Sequence, residues 1–148
     1  MENGDDNTCM AEVHPIKIVG IVEKDVTKPR NDGTPGSALY NVPFKLSSYP
    51  PPEWADYFPN AWDRPSSYSS RHRPGICRVS GDVIWLNGTT LEEVSETHKA
   101  TLDLALDETN RKYREFAAAK EVDQQRRRQQ EEAHRQSVSE AVKKIKFD

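Results

Sequence analysis

No stretch of about 18 apolar residues occurs in the chain, so no segment reads as a membrane-spanning helix. The first six residues carry Glu2, Asp5 and Asp6 and no base, and no apolar run follows them. A secretory signal needs both, so none is expected and a cytoplasmic setting is the default. Cysteine is scarce: Cys9 and Cys77 are the two present, and no Cys-x-x-Cys pair occurs. That excludes a disulfide scaffold and a structural zinc knuckle. The four histidines, His14, His72, His98 and His134, share no metal-ligand spacing. No His-Glu-x-x-His, Gly-x-Ser-x-Gly or phosphate-cradling Walker pattern is found. Hydrophobic residues are few as well, 34% of 148 against 30% charged. A chain of this length makes one ordinary domain, and the low apolar fraction implies polar appendages around a small core.

The net charge of −3 argues against a surface that grips nucleic acid everywhere. It hides a segmented pattern. Residues 1–26 hold six acids and two bases, and residues 89–116 hold seven acids and four bases. Residues 27–88 and 117–148 are each net positive. The most one-sided stretch is Arg64 to Arg78, with Arg64, Arg71, Arg73 and Arg78, Tyr68 and His72 among them, and no acid.

Residues 1–13 read as a disordered acidic leader. The β-branched run Ile16–Val22 reads as a strand covered on both faces. Thr27–Ser37 is a loop built on two Pro, two Gly and Asn-Asp-Gly. From Leu39 to Ser47, Tyr40, Val42, Phe44 and Leu46 alternate with Asn41, Pro43 and Lys45, the pattern of a half-buried strand. Pro43 cannot donate to a ladder, which predicts an edge or a bulge there. After Pro50-Pro51-Pro52, Glu53–Asp63 suits a short helix with Trp54, Phe58 and Trp62 on one stripe; Pro59 predicts a break or kink. Residues 64–75 form a Ser-, Arg- and Pro-rich loop. Ile76–Val79 and Val83–Leu86 flank a Gly81-Asp82 turn and read as a hairpin that Asn87-Gly88 ends.

Thr90-Leu91-Glu92-Glu93 is a capping box, with Thr90 bonding the Glu93 amide and Glu93 reaching back. Leu91, Val94, His98, Leu102, Ala105, Leu106, Thr109, Tyr113 and Phe116 then recur at three- and four-residue steps, a helix with one buried stripe. The chain beyond Gly88 has neither Gly nor Pro, so nothing interrupts this helix. Past Phe116 the stripe fades into charged helix formers, then returns as Val138, Ala141, Val142 and Ile145, with Phe147 beyond.

The expected fold is α+β: a small antiparallel sheet of about four strands, in β-β-α-β-β-α order, covered by one long helix that extends into a charged C-terminal helical tail. The expected boundaries are 1–13, 14–117 and 118–148, with Trp54, Phe58, Trp62 and Trp85 supplying much of the core. Asp56 and Asp63 read as a solvated face. Cys77 and His98 read as a buried strand cysteine and a core-edge histidine. No catalytic residue, metal or cofactor is expected. The patch of Val138, Ala141, Val142, Ile145 and Phe147 is too small to fold alone, so it packs back, docks on a protein partner or self-associates; docking or self-association is preferred to back-packing. Leu104, off the main stripe, reads as exposed and able to join it. The expected function is a non-enzymatic accessory or adaptor subunit. The alternative is a nucleic-acid- or phosphate-binding module using Lys28, Arg30, Arg64, Tyr68, Arg71, His72 and Arg73.

Overall fold

A computed structural model of the chain describes residues 14–147; the acidic leader and Cys9 lie outside the described residues. Residues His14–Tyr113 form one compact unit, and the chain from Arg114 onward forms another.

The first unit is α+β. Its sheet has strands β1 (Ile18–Ile21), β2 (Tyr40–Leu46), β3 (Cys77–Ser80) and β4 (Val83–Thr89) in the order β1-β2-β4-β3. Each neighbouring pair is antiparallel. Strands β3 and β4 meet at the expected two-residue turn, where Ser80 pairs with Val83 and Gly81 takes a positive φ of 59°. Register aligns Val42 with Leu86 and Cys77, and Phe44 with Ile84 and Val79. That row is one face of the sheet. Helix α1 (Pro52–Asp63) lays Trp54, Phe58 and Trp62 on it, and Val94, Leu102 and Ala105 from the long helix complete the core.

Two side chains fasten the N-terminal segment: Ser47 Oγ accepts from the Lys17 amide at 2.9 Å, and Asn110 grips Ile16. Asn110 accepts from the Ile16 amide at 3.1 Å through Oδ1 and donates to the Ile16 carbonyl at 2.9 Å through Nδ2. Its Oδ1 also accepts from Trp54 Nε1 at 2.9 Å. A side-chain amide thus replaces a strand partner beside buried Ile16.

Five local expectations change. β1 is an edge strand, not a covered one: Val19 is 62% exposed and Ile21 42%. Its β-branched residues suit a pleated strand without two-sided burial. Pro43 sits in an inner strand and not at an edge. In an antiparallel strand a residue's N–H and C=O point to the same side. The Pro43 carbonyl accepts from Val22, so its nitrogen faces the place where β1 has ended. The Val22 carbonyl, which a donor at Pro43 would have met, is taken by the Asp25 amide at 3.0 Å in the 3-10 turn Glu23–Asp25. The missing donor therefore leaves no orphan. Pro59 does not break α1, which runs through it to Asp63. β4 continues past Asn87-Gly88 to Thr89. Tyr40 pairs with Thr89 and Asn41 with Asn87, so Gly88 is an unpaired bulge residue with φ 111°. Trp85, between inward Ile84 and Leu86, lies on the opposite face beside Pro43, half-buried and outside the core.

The long helix, α2, comprises a helical turn Leu91–Glu93, a π-helical turn Val94–His98 and an α-helix Lys99–Lys144. Thr90 Oγ1 caps it by accepting from the Glu93 amide at 3.1 Å. The other half of the expected capping box is absent: Tyr40 Oη accepts from the Leu91 amide at 2.8 Å, and the Glu93 carboxylate turns elsewhere. The π turn takes one residue more than an α turn would. The stripe then continues inward through His98, Thr101, Leu102, Ala105 and Thr109, all buried.

Candidate functional site

The 91–98 segment carries the acids that the arginine-rich loop lacks. Glu93, at the third position of α2, is held in a closed set of contacts. Arg73 donates to it twice, Nε to Oε1 at 2.8 Å and Nη2 to Oε2 at 2.7 Å. Thr89 Oγ1 donates to Oε1 at 2.8 Å. These donors favour the ionised form, Arg73 foremost, and bring the Glu93 carboxyl down from 4.5 to about 2. Two residues earlier in the loop, Arg71 meets Glu96 at 3.0 Å in an exposed pair. Trp62 Nε1 donates to the Arg73 carbonyl at 2.9 Å, and the Gly75 amide donates to Asp63 Oδ1 at 2.8 Å. The loop is therefore pinned to α1 and α2.

Beside Glu93 runs a row of rings. Tyr68 lies 5.7 Å from His72, His72 lies 4.9 Å from Trp62, and Trp62 lies 5.3 Å from His98 in an edge contact. His98 is fully buried, and both its ring nitrogens lack a hydrogen-bond partner, as do those of His72. His98 Nε2 is 3.4 Å from Glu93 Oε1, too far and too poorly aligned for a good bond. Burial holds the His98 imidazole below its ordinary value, so it is kept neutral.

The arrangement is structural chemistry. The donors around Glu93 are satisfied by it, and its charge is consumed by Arg73. Burial also pushes the Cys77 thiol far above its usual range, which disfavours the thiolate a nucleophile needs. His98 makes no hydrogen bond that could activate it. Among the described residues no group of three His, Cys, Asp or Glu could hold a metal ion.

The other basic candidates are dispersed. Arg30 stays within its own loop, 3.6 Å from Asp32 and 3.5 Å from Thr34 Oγ1. Positive φ at Asn31, Gly33 and Gly36 shapes that loop, and the Asn31 amide closes it on the Ser37 carbonyl at 2.9 Å. Lys28 is exposed, and so is Arg64, which follows the last residue of α1. Arg64 lines an open cleft of about 310 Å³ with Pro65, Leu104 and Asp107. An adjoining cleft of about 510 Å³ shares Leu104 and brings in Tyr68, Arg71 and Glu96. Leu104 of α2, expected to be exposed, is half-buried and lines both clefts with residues of the loop.

The second candidate is the far part of α2. Every residue from Gln124 to Phe147 is exposed. The polar stretch supports itself by local pairs: Arg126 and Arg127 with Asp123, Arg128 with Glu121, and Arg135 with Glu132, at 3.1–3.6 Å. Val138 is 45% exposed, Val142 60%, Ile145 59% and Phe147 92%. Val138, Ala141 and Val142 stand on the helix; Ile145 follows it, its amide bonding the Val142 carbonyl at 3.2 Å.

No family model matches the chain, no curated protein matches it, and no solved structure matches its fold.

Proposed function

We propose that the chain is a non-enzymatic accessory subunit that joins protein partners in a larger assembly, with the C-terminal end of α2 as its main docking element. One observation carries this reading. Val138, Val142 and Ile145 recur at four- and three-residue steps and remain exposed, after more than a dozen residues that bury nothing. An apolar stripe at that spacing is the ligand half of helix-in-groove recognition. The α+β unit supplies a rigid platform whose most reactive-looking groups, Glu93 and Arg73, are spent on each other.

The nucleic-acid reading is supported less well. Arg71 and Arg73 are ion-paired with Glu96 and Glu93, and these negative partners lower their hold on phosphates. The accessory reading is tested by deleting residues 137–148 and purifying the chain with its partners. The truncated chain should lose its partner while its tryptophan-reported unfolding stays unchanged. Undiminished co-purification would count against the reading. Retention on single-stranded nucleic acid at low salt, lost on Arg71→Ala and Arg73→Ala, would favour the alternative.

A further inference from the structure

Resting on that reading, we propose that Val138–Phe147 seats as a short amphipathic helix in an apolar groove rimmed by Asp and Glu, on a protein other than a second copy of this chain. Three observations select this occupant. The first concerns the seam. Val138, Val142 and Ile145 define a coiled-coil line whose preceding positions are Arg135, Glu131, Arg128, Gln124 and Glu121. A second copy packed in parallel would oppose Arg to Arg and Glu to Glu. An antiparallel copy would bury the same charges, which is costly unless each is paired and hydrogen-bonded. Only the tip of the seam is apolar, so a short groove fits where a second α2 does not.

The second observation is charge. Lys143, Lys144 and Lys146 make no ion pair with any described residue, whereas the arginines upstream are locally paired. On a helical projection Lys143 and Lys144 lie about 130° to either side of the Val138–Val142–Ile145 line and Glu140 behind it, so the bases reach the edges of the ridge only through their long side chains. Bases that pair with no described residue, and whose long side chains reach the edges of an apolar ridge, are complementary to an acidic rim, which would set register and encounter rate.

The third is width. The ridge is one side chain across, with two Val and one Ile on the helical line. Membrane-surface helices bind in proportion to a broad buried apolar face, and this one lacks it. A groove can enclose a narrow ridge from both sides.

The test uses the full chain. Alone, it should sediment as one species at its own mass of 16.9 kDa and stay off vesicles of phosphatidylserine and phosphatidylcholine. In an extract of the cells that make it, a carbodiimide, which joins amines to carboxylates, should couple Lys143, Lys144 or Lys146 to Asp or Glu of one co-purifying protein. Retention of that protein should fall with salt, and should fall about tenfold or more in Val142→Asp or in the triple variant Lys143→Glu, Lys144→Glu, Lys146→Glu. A doubled mass, vesicle binding, or coupling that omits the three lysines overturns the proposal. If both variants keep the partner, the docking chemistry proposed here is lost while the accessory reading survives. If the full chain keeps no partner, both fall.

Discussion

Replacing Glu93 by Gln keeps the side chain's shape and removes its charge, which isolates the contact that pins the arginine-rich loop to α2. In the wild type the carboxylate receives two charge-assisted bonds from Arg73 and one from Thr89. A carboxyl lowered from 4.5 to about 2 corresponds to at most about 3 kcal/mol of native-state preference for the anion. The side chains of Glu93 and Arg73 retain 27% and 38% of their exposure, and solvent screening reduces the expected loss to about 2 kcal/mol. For a unit of about 100 residues that is a drop in Tm of roughly 10 °C. The sign with pH follows from the direction of the shift. The folded value lies below the unfolded one, so the stabilisation is complete above pH 4.5 and is lost as pH falls towards 2. Urea unfolding followed by tryptophan fluorescence reads this directly, since Trp54, Trp62 and Trp85 all lie in the 14–113 unit. Glu93→Gln should be about 2 kcal/mol less stable than wild type at neutral pH, and the two curves should converge near pH 2. A difference under about 0.5 kcal/mol at neutral pH, or one that persists undiminished in acid, would refute the role given to this carboxylate.

Burial holds His98 below 6.5, so the unfolded chain takes up this proton first; stability should fall as pH drops below 6.5 towards the folded value. His98→Met should remove that slope, and titration of the imidazole by NMR should place its midpoint below that of an exposed histidine. Peptide mapping after maleimide treatment should find Cys77 unlabelled in the native chain and labelled in urea, because burial suppresses its thiolate. Leu102→Ala removes a side chain that is 3% exposed from the junction of α2 with the sheet, and should cost about 2–5 kcal/mol in the same urea assay.

Periodicity made the architecture legible. The alternation of Val42, Phe44 and Leu46, the turn at Gly81-Asp82, the ridge of Trp54, Phe58 and Trp62, and the stripe from Val94 to Thr109 all follow from side-chain spacing and appear in the structure. What spacing does not contain is who stands next to whom. Pro43 is tolerated inside the sheet because β1 turns away at Val22, a fact about a different strand. The size of Trp85 suggests a place in the core, yet its neighbours Ile84 and Leu86 fix its parity and send it outward. The surroundings of the basic loop are hidden from the sequence for the same reason. Arg64–Arg78 contains no acid, but Glu93 and Glu96 reach two of its arginines from 20 and 25 residues further along the chain, beyond the β3–β4 hairpin. One local signal was available: Glu93 sits three residues after Thr90, and a carboxylate freed from a capping box can pair elsewhere. The π turn and the buried row of His72, Trp62 and His98 have no local signature. The terminal ridge is the opposite case, since its residues are exposed and its spacing is its whole description.

The central claim is that the last turns of α2 are a docking element, and backbone hydrogen exchange of the free chain against the purified assembly tests it most directly. In the free chain, amides of residues 137–147 should exchange rapidly, since their side chains bury nothing. In the assembly they should slow by at least about tenfold, with no comparable change over residues 64–74. Equal exchange of residues 137–147 in both states, with protection appearing on the 64–74 loop instead, would contradict the account.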